Sequence, residues 1–295
     1  MIQVLTRDIG GAPLVKAALA HQVPETWYAP VPTNGAEWST AARDVANEFK
    51  NKNWDWLPQI TPAFNATGPA AEQLARVAAQ GGVVVTTGQQ PGLFGGPMYT
   101  WSKAFSALTL AREIERQTGI PTAPIFWAAT DDADYAEASY TVVAHNGEGC
   151  ILRLPDRDSG PSMASIPLGD ISAQFATLAR AAGSVIDHDP LDTVKQAYSP
   201  GTTIGGAYLT LLRAVLEPLG MAVLDANHPS VRVAAEPTLR SALQNATSVR
   251  DALAGRSQAI EAAGYRAQVQ PVPNLSLVFR TDPNGLRARV SLKDA

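Results

Sequence analysis

Residues 83–108 read VVVTTGQQPGLFGGPMYTWSKAFSAL, a β-branched run that breaks into a glycine-rich turn and then into a segment with helical spacing. Val83, Val84, Val85, Thr86 and Thr87 are all β-branched, which suits a strand buried on both faces, as parallel sheets require. Gly88, Pro91, Gly92, Gly95 and Gly96 end that strand. Pro97 is of a type favoured at a first helical position, and Trp101, Ala104, Phe105, Leu108 and Ala111 then recur on one helical stripe. The N-terminus of this helix is aimed at the glycine turn. Unpaired backbone N–H groups and the positive dipole end are therefore expected to converge where an anion, phosphate or carboxylate, can sit.

The helix is predicted to run to about Gln117, with Gly119 as its stop, and Thr122–Ala128 reads as a second buried strand. That is one βαβ unit. Parallel strands bring their carboxyl ends to one sheet edge, so Thr87–Gln90 should lie beside the segment after Ala128, which reads Thr130-Asp131-Asp132-Ala133-Asp134-Tyr135. Three carboxylates are thereby expected to face the glycine turn.

The chain of 295 residues is long enough for one large or two modest domains, and 45% hydrophobic residues mark it as globular. Its 23 basic and 27 acidic residues give a net charge of −4 with no basic run, which argues against nucleic acid as a partner. The start, MIQVLTRDIGG, lacks a leader pattern and no apolar stretch reaches the length of a membrane span, so a cytoplasmic location and no membrane partner are expected. The single Cys150 excludes an intrachain disulfide and fits a reducing compartment.

The expected division is a helical and irregular layer over 1–68, packed on a core over 69–295. Short helical patterns lie near Ala12–Ala20 and Ala36–Phe49, and a stronger helix spans Ala70–Gln80. Tyr140–His145 and Cys150–Leu154 read as a hairpin turning at Asn146-Gly147-Glu148-Gly149, within an inserted β piece of about 136–168. Ile171–Ala182 and Thr203–Leu219 read as helices, Met221–Leu224 as a third parallel strand ending at Asp225, and Ser230–Ala263 as mostly helical. Asn274–Phe279 and Leu286–Leu292 alternate around Asp282-Pro283-Asn284-Gly285, a terminal hairpin. The fold class is α/β.

The glycine spacing matches neither the dinucleotide fingerprint nor the phosphate loop ending in Gly-Lys-Ser/Thr, and an ordinary tight βα connection explains it equally well. Gln89 and Gln90 add adjacent amides that need partners if buried. Asp131, Asp132 and Asp134 are candidates to act as a general base, to hold a substrate ammonium or to bind a cation, against the plainer reading of a solvated loop that caps the next helix. Tyr99, Thr100, Ser102 and Lys103 lie in the first two turns of the helix, within reach of the same place, and Asp225 reaches the same edge from the third strand. A ligand set of Thr87, Gly88, Gln89, Gln90, Gly96, Tyr99, Lys103 and Asp225 follows, with no metal. His145, His188 and Cys150 read as structural or exposed.

TTGQQPGLFGGPMYTWSKAFSAL, then PIFWAATDDADYAEASY and GMAVLDANHP, resembles the bacillithiol biosynthesis cysteine-adding enzyme family, BshC, from about residue 70 to the end. The double glutamine within the glycine motif is its most specific part. The resemblance implies a Rossmann-like (nucleotidyltransferase-like) parallel sheet with inserted segments and a helical coiled-coil domain that dimerises. It also implies ligation of L-cysteine to glucosaminyl-malate; Asp131, Asp132 and Asp134, the expected catalytic carboxylates, would there orient the glucosamine amine or act as a base. Whether ATP takes part is left open. The family pattern has Glu-Asp-His-Asp-Phe where this chain has Asp131–Tyr135, so Ala133 replaces an imidazole, and the sequence is expected to stop before the C-terminal half of the pattern. The alternative is a non-catalytic module that binds a nucleotide or small anion.

Overall fold

The computed structural model describes residues 11–28, 31–50, 56–157, 160–183, 188–269, 271–282 and 286–293, with only the backbone for 188 and 189. The chain divides into two units. One comprises Gly35–Pro237 with Thr281–Ala288, and the other Met1–Asn34, Thr238–Arg280 and Arg289–Ala295. This division does not fall at residue 68: residues 35–68 group with the sheet, and residues up to 34 group with the later helices.

The larger unit is built on three parallel strands, β1 (Val83–Gln89), β2 (Thr122–Ala128) and β5 (Ala222–Asp225), in the order β1-β2-β5. The expected α/β, Rossmann-like arrangement is present. Helix α5 (Met98–Thr118) makes the first crossover and is closed by Gly119 at φ 71°, a left-handed cap that a residue with a Cβ would strain. Helix α9 (Ile204–Leu216) shares its side of the sheet, where Ala104, Leu108, Phe126, Tyr208, Leu212 and Val223 form one core. The other side is covered by α3 (Leu57–Phe64) and α4 (Gly68–Gln80), with Phe64, Leu74 and Val77 against Ala123, Ile125, Ala222 and Leu224. The alternation of β2 between these two cores follows from the two-residue side-chain period of a strand.

Several local expectations need correction. β1 is an edge strand, so it is not buried on both faces: Val84 is 43% exposed, while β2, in the centre, is buried from Thr122 through Phe126. The buried stripe of α5 runs through Thr100, Ala104, Ala107, Leu108, Ala111 and Ile114, which turns Phe105 outward to 43% exposure. Pro97 stands at the cap position, with ψ 157°, and the helix starts one residue later. Helix α3, with Pro62 inside it, was hidden by its prolines, although Pro58 occupies the first turn, where a missing N–H costs nothing.

Between β2 and β5 lie α6 (Tyr135–Ala138), the hairpin β3 (Tyr140–His145) and β4 (Glu148–Arg153), α7 (Ser172–Ala182) and α8 (His188–Ala197). Asn146 at φ 52° and Gly147 at φ 83° alone make the turn, the two-residue form that matches strand twist, so Glu148 and Gly149 belong to β4 rather than to the loop. Leu93, Tyr135, Leu152, Met163, Ile166 and Tyr198 pack these pieces into a third core.

In the smaller unit α1 (Pro13–Leu19) and α11 (Ala246–Ala262) meet through Leu14, Ile260 and Ala267. The larger unit holds α2 (Gly35–Phe49) to α9 and β5, the smaller one holds α11, and the division cuts α10 (Pro229–Gln244) after Pro237. Strands β6 (Leu275–Thr281) and β7 (Arg287–Ser291) pair as the expected terminal hairpin, and residues 283–285 of its turn lie outside the described residues.

Candidate functional site

The parallel register brings the carboxyl ends of the three strands to one rim. Gln89 lies opposite Ala128, and Ala128 opposite Asp225, while the Ala129 N–H donates to the Gln89 carbonyl at 3.1 Å. The diglutamine bend and the acidic segment therefore start from adjacent backbone positions.

On the β1 side a polar network has formed. The Lys103 ammonium donates to Gln89 Oε1 at 2.8 Å, the Gln89 amide donates to Gln90 Oε1 at 2.8 Å, and its nitrogen lies 3.4 Å from the Tyr99 hydroxyl. Tyr99 in turn donates to Glu137 on α6 at 3.4 Å, and burial followed by that carboxylate raises its pKa. Lys103 also stands 5.2 Å above the Tyr99 ring. Glu137 was not anticipated, because its position depends on how α6 folds back across the rim.

The carboxylates are less free than the sequence suggests. Asp134 caps α6 by accepting from the Glu137 N–H at 3.1 Å, which is the plainer of the two readings weighed for it. Asp132 accepts from the Ala133 N–H at 2.7 Å. Asp225 accepts from the fully buried Thr130 hydroxyl and from the Asn227 N–H at 3.0 Å, so it ties the acidic segment to β5. The Asp131 carbonyl accepts from the Arg287 guanidinium at 3.1 Å, bringing a cation to the rim from the β6–β7 hairpin. No local signal in the sequence announces Arg287. Among the described residues no group of three or more His, Cys, Asp or Glu side chains is placed to hold a metal ion.

The glycine turn also departs from the expected open cradle. Its Gly95 N–H is shared between the Gly92 carbonyl at 3.1 Å and the Tyr198 hydroxyl at 3.2 Å, and the Gly96 N–H donates to the Leu93 carbonyl at 3.1 Å. Two of its amides are thus already paired. Those of Met98 and Tyr99, at the start of α5, bond to no other described residue, as the geometry of a helix start leaves them. Met98 is 81% exposed. Gly92 must be glycine for a packing reason, since a Cβ there would come within 2.5 Å of the Gly96 Cα, and Gly96 for a backbone reason, its φ of 76° and ψ of −165°.

Thr87, Ser102 and Lys103 also line a groove of about 490 Å³ along β1, with Trp38 and Val45 of α2. A second cavity, of about 580 Å³, lies at the opposite end of the strands, lined by Glu72, Gln73, Arg76, Arg112 and Glu115. His228, three residues beyond Asp225, is a rim imidazole that sequence reasoning passed over: its Nδ1 accepts from the Ser230 N–H at 3.2 Å and lies 2.8 Å from the Ser230 hydroxyl. His145 sits at the β3–β4 turn, 3.4 Å from the Asn146 amide, Cys150 is a half-buried free thiol, and the side chain of His188 lies outside the described residues.

The family model for the bacillithiol biosynthesis BshC N-terminal Rossmann-like domain matches residues 21–295. The chain belongs to the BshC family. Among similar proteins, one from Solibacter usitatus is 33% identical over 240 residues, covering 79% of this chain and 45% of the relative. One from Koribacter versatilis is 31% identical over 72% of this chain and 40% of its own length, and one from Geobacillus thermodenitrificans is 25% identical over 77% and 43%. Each of the three carries the name "Putative cysteine ligase BshC". The chain therefore spans less than half the length of these BshC relatives. The resemblance seen in the glycine motif and the acidic segment extends over most of the chain.

Proposed function

We propose that this chain is the ligand-binding Rossmann-like part of a cysteine ligase of bacillithiol biosynthesis, which joins L-cysteine to glucosaminyl-malate. The observation that carries this reading is the register Gln89–Ala128–Asp225, which sets a cationic and amide-rich bank beside an acidic one. The malate carboxylates suit the Met98 and Tyr99 amides and the Lys103 ammonium, where charge and hydrogen bonding act together. The sugar amine suits the carboxylates of Asp131, Asp132 and Glu137. In the condensation the amine nitrogen attacks the cysteine carboxyl carbon, that carbon's bond to one carboxyl oxygen breaks, and the oxygen leaves as water, or with the activating group where ATP takes part, while a carboxylate positioned at the amine takes the proton released as the amide bond forms. Thr87, Gly88, Gln90 and Gly96 shape the floor of the rim, and Asp134 and Asp225 hold the acidic segment in place.

Both substrates are small and polar, which fits a cytoplasmic setting; among the described residues no helix is long and apolar enough to cross a membrane. A homodimer through a coiled coil belongs to the same proposal.

A second reading is favoured by a specific observation. Ala133 supplies no imidazole, and Asp132, Asp134 and Asp225 are each engaged by a backbone N–H. That pattern suits a module that binds the conjugate without turning it over. Mass spectrometry of the chain with cysteine and glucosaminyl-malate, with and without ATP, separates the two when paired with calorimetry. An adduct supports the ligase, heat of binding without an adduct supports the module, and neither signal overturns both.

A further inference from the structure

The glycine turn is gripped from a distant part of the chain. Tyr198, at the end of the segment between β2 and α9, is buried, and its hydroxyl donates to the Gly92 carbonyl at 3.1 Å while accepting from the Gly95 N–H at 3.2 Å. Its ring packs on Phe94 with centroids 5.0 Å apart, and Phe94 meets Phe175 of α7 edge-on at 6.5 Å. Phe94 itself holds φ 54° and ψ 35°, a left-handed conformation that a bulky side chain adopts only when its surroundings impose it. Gly95, next in the chain, has φ 93° and lies so close to Trp101 that a Cβ would fall 2.6 Å from the indole. One hydroxyl and one aromatic stack therefore fix both sides of a strained bend whose far end is the start of α5.

We propose that Tyr198 is a positioning residue for the rim: it holds the Gly92–Gly96 bend in its left-handed form, and the bend sets where the Met98 and Tyr99 amides stand against the diglutamine. The residues that bind ligand are thereby governed by the segment between β2 and α9. This inference rests on the reading of the rim as the glucosaminyl-malate site. The physical reason is preorganisation. A Phe at 198 keeps the stack but leaves the Gly92 carbonyl and Gly95 N–H only each other, so the left-handed bend loses its external clamp and the amides lose their fixed aim. The deletion is local, since Tyr198→Phe leaves the ring volume in the core.

The test compares wild type, Tyr198→Phe and a control, Ser39→Ala, which removes another buried hydroxyl, one that donates to the Gly35 carbonyl at 2.8 Å and to Gln117 at 2.6 Å, well away from the rim. Calorimetric affinity for glucosaminyl-malate and amide exchange of Gly95 and Gly96 are measured on each. The expected result is about a tenfold loss of affinity and about a tenfold faster exchange in Tyr198→Phe alone, the size of one lost hydrogen-bonding partner. In Ser39→Ala both readings stay at wild type although stability falls. Wild-type affinity in Tyr198→Phe, or unchanged exchange at Gly95 and Gly96, overturns the role of Tyr198 and leaves the ligand reading intact. A wild-type chain that binds no glucosaminyl-malate, with exchange still accelerated in the variant, overturns the ligand reading and the positioning role that depends on it.

Discussion

Asp225 separates two ways in which a carboxylate at this rim can act. In the structure it accepts from the Thr130 hydroxyl, which is fully buried, and from the Asn227 N–H at 3.0 Å, while the Thr130 hydroxyl also accepts from the Asn227 N–H at 3.2 Å. Replacing Asp225 by Ala strips the buried hydroxyl of its acceptor and leaves the Asn227 amide with the hydroxyl alone. Each stranded group costs on the order of 1–3 kcal/mol, and because they still hold each other the combined loss is about 2–4 kcal/mol. Asp225→Asn keeps an oxygen in the accepting position and should cost only about 1 kcal/mol. Urea unfolding followed by circular dichroism reads the difference, with the midpoint of the Ala variant lower by on the order of 1 M. Thr130→Val completes a double-mutant cycle, with an expected coupling of about 1–2 kcal/mol. Glucosaminyl-malate affinity then distinguishes a latch from a ligand contact: a latch keeps binding in Asp225→Asn and loses it in Asp225→Ala. Equal loss of affinity in both variants, or a coupling near zero, refutes the reasoning and returns Asp225 to direct contact with the ligand.

Four further outcomes are expected. Lys103→Met weakens glucosaminyl-malate binding by about tenfold or more, the value of one charge-assisted hydrogen bond, with little change in stability because the side chain is exposed; calorimetry and melting curves check both. Burial raises the pKa of Tyr198 and of Tyr208, so above about pH 10 the unfolded chain releases protons that the folded chain keeps, and stability falls as pH rises. In that range Tyr198→Phe makes the slope shallower by about 1.4 kcal/mol per pH unit, measurable by urea unfolding at several pH values. The hydrogen bonds from Arg116 and Gln117 depress the Glu113 pKa to about 2, so the stabilisation it gives is present above the ordinary carboxylate range and is lost as pH falls toward 2; a carbon-detected NMR titration with a midpoint near 4 contradicts this. Ala133→His restores a group able to move a proton near neutral pH, and under the ligase reading adduct formation rises by roughly 10²-fold or more.

The legible part of this fold is the part dictated by local periodicity. Gly119 as a helix stop, Thr122–Ala128 as a buried strand and Asp225 at the end of a third strand all follow from short-range rules, and together they fix the rim. What escaped the sequence is set by tertiary neighbours. Nothing within Val83–Thr87 says that one side of the strand is an edge, since β-branched residues suit central and edge strands alike. The acidic triplet reads as a cluster, yet Asp134 is taken by the cap of a one-turn helix and Asp132 by the next N–H, both backbone donors that periodicity does not reveal. The partners of the glycine bend come from residues about a hundred positions away, and Arg287 comes from farther still, so their places depend on packing and on hairpin register rather than on any motif.

The central claim is that the ligand sits at the carboxyl ends of β1, β2 and β5. Amide chemical-shift mapping with glucosaminyl-malate tests it most directly. Perturbations are expected at Gly88–Gln90, at Met98–Lys103 and at Asp131–Asp134. Shifts confined to Glu72, Arg76, Arg112 and Glu115, around the cavity at the opposite end of the strands, would contradict it.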